Sequence, residues 1–216
     1  MNTFAILIGH GRLEDLLHNW GYLAVFLMIG IESIGVPLPG ETMLIAASLY
    51  AGSTHNLSIV LIVAVAAAGA IVGDNIGYSV GRHGGWRLLR RYGRHVGIDE
   101  GKLKLGRYLF LVHGGKVVFF GRFIGILRTY AAALAGANHM PFFRFFAFNA
   151  SGGIVWASIY GFGYYFAAHV LEKLDTPLTV SFAAIAIALT LGGILFIRRN
   201  MEEWEERAER ALPGPL

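Results

Sequence analysis

Four charged residues lie inside segments of this chain that are otherwise apolar. Glu32 and Glu41 lie in the segment IESIGVPLPGE, and Arg122 and Arg128 lie in the segment GRFIGILR. On insertion scales, one charge at the centre of a bilayer costs about 2.5–3.5 kcal/mol. Because a cost of that size is met four times in a short chain, the pattern indicates a polar functional site within the membrane.

The spacing within each pair requires a break in the helix that carries it. Glu32 and Glu41 are nine residues apart and would point in opposite directions on a straight helix. Arg122 and Arg128 are six residues apart and would also diverge. The residues that can break these helices are Gly35, Pro37, Pro39 and Gly40 in the first segment and Gly114, Gly115, Gly121 and Gly125 in the second. We therefore expect two acids to face two arginines across one protein-lined cavity, where opposite charges offset burial.

The residue types predict two roles. Arginine binds phosphate or carboxylate groups through parallel hydrogen bonds and remains charged, so Arg122 and Arg128 are candidate ligands for an anionic head group. Ionisable carboxyl groups at bilayer depth form proton relays in many carriers, so Glu32 and Glu41 are candidates for proton coupling. The alternative interpretation is a static lattice of ion pairs that holds two helical hairpins together.

Asp74 is a fifth candidate for the site. It shares one helix face with Tyr78 and Arg82, at i, i+4 and i+8. It can line a proton path, pair with an arginine of the second broken segment, or have only a local role, as an interfacial cap or in an ion pair with Arg82. Asn149, a polar residue in an apolar run, is expected to hydrogen-bond across helices. The residues expected to act as interfacial anchors are Trp86, Trp156, Tyr164 and Tyr165.

The composition indicates an all-α integral membrane protein. The chain has 216 residues, of which 55% are hydrophobic and 15% charged, whereas soluble domains carry about 25% charged residues. Residues 178–197 form an uncharged run long enough to span a bilayer, and residues 145–168 form another.

There are no cysteines, which excludes disulfides and thiolate chemistry. The eight histidines show no metal-site spacing, so we predict neither a metal nor a cofactor.

The basic residues predict the orientation of the chain. Eight of the 18 Lys and Arg residues lie between Arg82 and Arg107. This clustering is typical of a cytoplasmic loop under the positive-inside rule, and it argues against a nucleic-acid partner. We expect a multi-pass membrane protein whose C-terminus is cytoplasmic.

The predicted organisation is two inverted repeats, each a re-entrant helical hairpin followed by a transmembrane helix. The predicted parts are an N-terminal surface segment (1–19), a membrane domain (20–171), a C-terminal transmembrane helix (177–198) and a cytoplasmic tail (199–216). Within the domain, the hairpins cover about 22–51 and 107–137, the spans about 57–82 and 141–171, and a basic loop 82–106. GAIVGDNI at 69–76 aligns with GGIVWASI at 152–159, and such repeats place a site near the midplane.

The segments IESIGVPLPGE, GDNIGYSVGRHGG and GRFIGILRTYAAALAGANHMPFFRF resemble the DedA family of membrane proteins, whose domain is also called the VTT or SNARE-associated domain. The resemblance covers roughly residues 20–170. The family pattern resembles GRFxPxxR, and Gly125 stands at its proline. The resemblance implies lipid translocation, with undecaprenyl phosphate as a substrate of bacterial members and with proton dependence. By motif position, Glu32 and Glu41 correspond to the family's essential acids, and Arg122 and Arg128 to its essential arginines.

The leading hypothesis is therefore a proton-coupled transporter, not an enzyme, that moves an anionic lipid phosphate across the bacterial inner (cytoplasmic) membrane. Undecaprenyl phosphate is the first candidate for its substrate. The alternatives are a proton/small-cation antiporter and a phospholipid scramblase. A lipid phosphatase would need a nucleophile or a metal site beside the arginines, and the sequence offers neither. The expected partners are a polyprenyl phosphate or phospholipid head group, protons and the bilayer, and homo-oligomer formation is left open.

Overall fold

The described part of the chain is helical. The computed structural model describes residues 10–36, 38–54, 56–93 and 100–171, together with 203–204, 206–208 and 210–212. Seven helices occur in residues 10–171: α1 (His10–Ile34), α2 (Gly40–Thr54), α3 (Ile59–Gly93), α4 (Glu100–His113), α5 (Lys116–Gly121), α6 (Gly125–Ala137) and α7 (Phe142–Leu171). No strand occurs among the described residues, which confirms the all-α prediction for them. The predicted C-terminal transmembrane helix, 177–198, lies outside the described residues.

Glycine and proline separate α1 from α2. Gly35 follows the last residue of α1 and has a φ of 119°, a value that L-residues with a side chain rarely adopt. Its amide donates to the carbonyl of Glu32 at 3.0 Å, which closes a turn. The carbonyl of Pro39 accepts a hydrogen bond from the Met43 amide at 3.1 Å and so begins α2. The helix therefore ends and restarts where the sequence predicts a break.

The second broken segment has two interruptions. Gly114, with a φ of 56°, separates α4 from α5. Residues 122–124 then separate α5 from α6, and Ile124 is extended, with a φ of −112° and a ψ of 108°. The carbonyl of Ile124 accepts from the Arg128 amide at 2.8 Å, in the first turn of α6. Gly125 is the first residue of α6, a position that also suits proline, so either residue is compatible with this break.

Two long helices follow the broken segments. Among the described residues, the stretch 59–86 of α3 is the one that is long and apolar enough to cross a membrane. The helix α3 continues to Gly93, with non-helical backbone at Gly85. The helix α7 has 30 residues and a length of about 45 Å. The segment 82–106, expected to be a basic loop, is instead helical at 82–93 and from Glu100, while 94–99 lie outside the described residues.

The two broken segments pack reciprocally on the long helices. In each half the first arm contacts the long helix of its own half, so that α1 packs on α3 and α5 packs on α7. The second arm contacts the long helix of the other half, so that α2 packs on α7 and α6 packs on α3. An internal repeat would produce this pairing. The repeat itself, its inverted orientation and the re-entrant insertion of the hairpins stay predictions.

Glycines allow α3 to approach both of its neighbours closely. Gly69, Gly73, Gly77 and Gly81 recur every four residues along α3. A Cβ atom at Gly73 would collide with the backbone carbonyl of Gly30 in α1, and one at Gly81 would collide with that of Ala133 in α6. Backbone contact of this kind is typical of small-residue packing between membrane helices. It brings both broken segments against the middle of α3, where Asp74 lies.

Candidate functional site

Arg128 joins the second broken segment to both sides of the first break. Its Nη1 atom donates to Glu41 Oε2 at 3.0 Å, and its Nη2 atom donates to Glu32 Oε1 at 2.5 Å. Glu32 lies in the last turn of α1 and Glu41 in the first turn of α2. The break between these helices therefore lets two acids nine residues apart in sequence share one guanidinium.

The start of α2 supports this arrangement. The backbone of Gly40 and Glu41 lies against the Glu32 carboxylate. A Cβ atom on Gly40 would collide with Glu32 Oε2, so the approach requires glycine. The N-terminus of a helix carries partial positive charge, which stabilises a carboxylate placed there. The side chains of Arg128, Glu32 and Glu41 are 15%, 16% and 38% exposed, so this site is partly open.

The Trp156 ring lies against the flat face of the same guanidinium. The Cζ atom of Arg128 lies over the Trp156 ring, 5.5 Å from its centroid. The expectation that Trp156 is an interfacial anchor is wrong, because this tryptophan is only 2% exposed and lies in the core. One sequence signal could have found it. Trp156 follows Asn149 by seven residues, two helical turns, and therefore shares the helix face that this polar residue marks.

Arg122 forms a second and more deeply buried group. Its Nη2 atom donates to the Asp74 carboxylate and to Asn149 Oδ1, the latter at 2.7 Å. Asn149 Nδ2 donates in turn to the carbonyl of Ile71 at 3.2 Å. The Arg122 and Asp74 side chains are 3% and 8% exposed. A charge buried to this extent is stable only when it is paired and hydrogen-bonded, and this group provides both.

The position of Asp74 decides between two of the three alternatives for it. Asp74 pairs with Arg122 of the second broken segment. Arg82 donates instead to Tyr78 Oη at 3.2 Å and to the carbonyl of Met140 at 3.4 Å. A role for Asp74 in proton movement stays a prediction.

The predicted residues thus form two clusters. The Arg128 cluster consists of Arg128, Glu32, Glu41 and Trp156, and the Arg122 cluster consists of Arg122, Asp74 and Asn149. We expected Glu32 and Glu41 to face both arginines in one cavity. This pairing is wrong, because both glutamates contact Arg128 and neither is bonded to Arg122. Arg122 lies in the break, against α3 and α7, whereas Arg128 lies in α6 and reaches the break between α1 and α2.

The two clusters differ in formal charge. With every group ionised, the Arg122 cluster contains one positive and one negative group, whereas the Arg128 cluster contains one positive and two negative groups. Within the part of the chain that the structure describes, no three His, Asp or Glu side chains are grouped so as to hold a metal ion. The chemistry that the Arg128 cluster can perform is an exchange of anionic partners on one guanidinium.

Comparison with known proteins gives the family. The VTT domain model matches residues 38–166. An uncharacterised membrane protein of Synechocystis is 39% identical over 188 residues, 86% of each chain. An uncharacterised membrane protein of Mycobacterium tuberculosis is 43% identical over 182 residues, 79% of each chain. Protein DedA of Escherichia coli is 29% identical over 186 residues, 84% of each chain.

No solved structure matches the chain significantly. The VTT match covers more than half of the chain and includes Glu41, Asp74 and both arginines, while Glu32 lies just before it. Relatives of similar length are named as membrane proteins. The chain is therefore a membrane protein that belongs to the VTT-domain family, the family of DedA.

Proposed function

We propose that this protein translocates an anionic lipid phosphate, with undecaprenyl phosphate as the first candidate, across the bacterial cytoplasmic membrane and couples this movement to protons. The observation that carries the proposal is the Arg128 guanidinium, held by two partly exposed carboxylates beside the break between α1 and α2. The guanidinium edge that binds two carboxylate oxygens can bind two phosphate oxygens in the same way.

The carboxylates and the phosphate would compete for Arg128. When Glu32 and Glu41 are both ionised, the cluster carries an excess negative charge and repels an anionic head group. Protonation removes that charge and weakens the hold of these acids on Arg128, so a phosphate takes their place. Loss of the protons towards the other side of the membrane restores the acids, which displace the phosphate. This competition would couple proton movement to lipid movement.

We assign different tasks to the two arginines. Arg128 would contact the phosphate, since its cluster is partly open. Arg122, also predicted from the sequence to bind phosphate, is nearly inaccessible and already donates to Asp74 and Asn149. We propose that Arg122 holds the second break in position and adds its positive charge to the site at longer range. The polyprenyl tail would remain in the surrounding lipid while the head group occupies the cluster.

A transport assay tests the proposal. Full-length protein is reconstituted into liposomes with fluorescent polyprenyl phosphate, and an impermeant quencher measures how much label lies in each leaflet. The wild type should move the label, and Arg128→Ala should abolish movement. Arg210→Ala is the matched control, since Arg210 forms an exposed i, i+4 ion pair with Glu206 in the tail and should transport normally. Unchanged transport in both Arg122→Ala and Arg128→Ala would rule the proposal out.

A second candidate function is favoured by the surplus carboxylate of the Arg128 cluster. Two acids against one arginine also suit exchange of protons for a small cation. Proton flux driven by Na⁺ or K⁺ in liposomes free of lipid phosphate would favour such an antiporter. A phospholipid scramblase would instead move a fluorescent phospholipid as fast as it moves polyprenyl phosphate, without a proton gradient.

A further inference from the structure

Trp156 contacts the face of the Arg128 guanidinium, which its hydrogen bonds to the two glutamates do not use. The N–H groups of a guanidinium lie in its plane, and two of them donate to Glu41 and Glu32. The Trp156 ring lies against the face instead. A cation within about 6 Å of an aromatic centroid is attracted by the negative face of the ring. Trp156 therefore binds Arg128 without competing for the donors that an anion needs.

The Trp156 ring is also fixed in place. It is buried in the apolar cluster that contains Ile29 of α1, Leu44 of α2 and Ile62 of α3. The Tyr160 ring lies 5.5 Å from it, one turn further along α7. A large side chain buried in a close-packed cluster, to which three other helices contribute, has little freedom to move. Arg128 thus has one fixed partner and two partners that protonation can release.

We propose that Trp156 is a positioning residue that holds the Arg128 guanidinium at the phosphate position while Glu32 and Glu41 are released. The inference rests on the proposed function and goes beyond it by naming what keeps the binding group ordered between partners. A free arginine side chain would have to be ordered again by each incoming head group, which lowers affinity. An aromatic partner on the guanidinium face removes that cost and leaves its edge open.

A binding experiment tests this role. Full-length protein is titrated with farnesyl phosphate, and farnesol serves as the uncharged probe. Affinity is expressed per folded protein, so that a loss of folded material does not count as a loss of binding. Trp156→Leu should weaken farnesyl phosphate binding about tenfold, which lies between the effects of losing an exposed and a fully desolvated cation–π contact. Trp156→Phe keeps an aromatic face and should restore most of that affinity.

The chain offers a matched control for the substitution. The Cζ atom of Arg107 lies over the Trp86 ring at 5.6 Å, an equivalent contact in which the cation is not Arg128. Trp86→Leu removes that contact and should leave farnesyl phosphate affinity unchanged. Equal weakening by Trp86→Leu and Trp156→Leu would overturn the proposal, because it would show a general effect on the fold.

A double-mutant cycle separates positioning from packing. If Trp156 acts through Arg128, then Trp156→Leu should not weaken the residual binding of an Arg128→Gln protein any further. A tryptophan that only fills the core would weaken both backgrounds equally, and that result would overturn the proposal. The same cycle in thermal unfolding without ligand should show coupling between the two residues, and additive changes in Tm would also overturn it.

The failure of this inference differs from the failure of the proposed function. If the wild type binds farnesyl phosphate no better than farnesol, the phosphate proposal fails and takes this inference with it. If the wild type prefers farnesyl phosphate and Trp156→Leu shows the same preference and affinity, only the role of Trp156 is overturned.

Discussion

The two arginines of the second broken segment lie six residues apart, yet their surroundings differ in burial and in charge. Arg122 is almost completely enclosed and meets one acid and one amide. Arg128 is partly open and meets two acids and one aromatic ring. The charges around Arg122 balance, and burial leaves little room for an anion to replace its partners. The group around Arg128 has a surplus negative charge and is partly accessible to a ligand.

The comparison assigns a structural role to Arg122 and a ligand-binding role to Arg128. A buried and balanced ion pair contributes by fixing its helices, and the loss of one member leaves the other uncompensated. A partly exposed pair contributes little to stability, because water competes for both groups. Two arginines of one short segment can therefore differ greatly in role, so that loss of one mainly lowers stability and loss of the other mainly lowers ligand binding. Four substitutions test this difference, from the largest expected effect to the smallest.

Arg122→Leu should destabilise the protein most. It leaves the Asp74 carboxylate buried without its partner, which costs about 3–5 kcal/mol of unfolding free energy. Thermal unfolding of the purified protein in detergent measures the effect. The double variant Asp74→Leu/Arg122→Leu removes both charges and should regain most of the loss. An Arg122→Leu protein that unfolds at the wild-type temperature would show that the Arg122 cluster is not a support.

Arg128→Gln should have the opposite profile. The unfolding free energy should fall by about 1–2 kcal/mol, less than in Arg122→Leu, because the ion pairs of Arg128 are partly exposed and its contact with Trp156 is the main loss. Affinity for farnesyl phosphate should fall about 10- to 100-fold, the range for loss of hydrogen bonds to a charged group. Arg128→Lys should recover little of it, because an ammonium group lacks the planar pair of donors. Wild-type affinity in Arg128→Gln would remove Arg128 from the phosphate site.

Asn149→Ala should lower the unfolding free energy by about 1–3 kcal/mol, because it removes an acceptor for Arg122 and a donor to the Ile71 carbonyl in a buried place. Ser151→Ala is the control. Ser151 is exposed on the same helix and bonds only to carbonyls of its own helix, such as that of Ala147, so the change should stay within about 0.5 kcal/mol. Equal effects from the two substitutions would contradict the assigned role of Asn149.

Glu41→Gln should give the smallest effect. It removes one of the two charges that compete with phosphate, so affinity for farnesyl phosphate at neutral pH should rise about two- to fivefold, as for an exposed ion pair. In the wild type, affinity should increase as the pH falls, because protonation removes the competing charges. That increase should be smaller in Glu41→Gln and unchanged in Glu203→Gln, an exposed acid of the tail. An equal pH response in the wild type and in Glu41→Gln would contradict the competition, since titration of the phosphate itself affects both proteins alike.

The positions of the helix breaks could be predicted from the sequence, since they depend on local backbone preferences. Gly35 and Pro39 lie between α1 and α2, and Gly125 begins α6. Glycine and proline change the allowed backbone angles wherever they occur, so their effect is visible without the fold. The same reasoning selected the five charged residues, because a charge in an apolar run is conspicuous. The separate turn at Gly114 was not distinguished from the other glycines of its segment.

The partners of those residues could not be predicted in the same way. Which acid contacts which arginine depends on how α1, α3 and α7 cross the second broken segment, and local spacing contains no information about these crossings. Tertiary packing alone assigned Asp74 to Arg122, gave both glutamates to Arg128 and turned Trp156 inwards. The sequence by itself determined where the helices break and which charges are embedded, because these are properties of short segments. The fold decided which charges are shared, because ion pairs and aromatic contacts depend on distances between residues far apart in the chain.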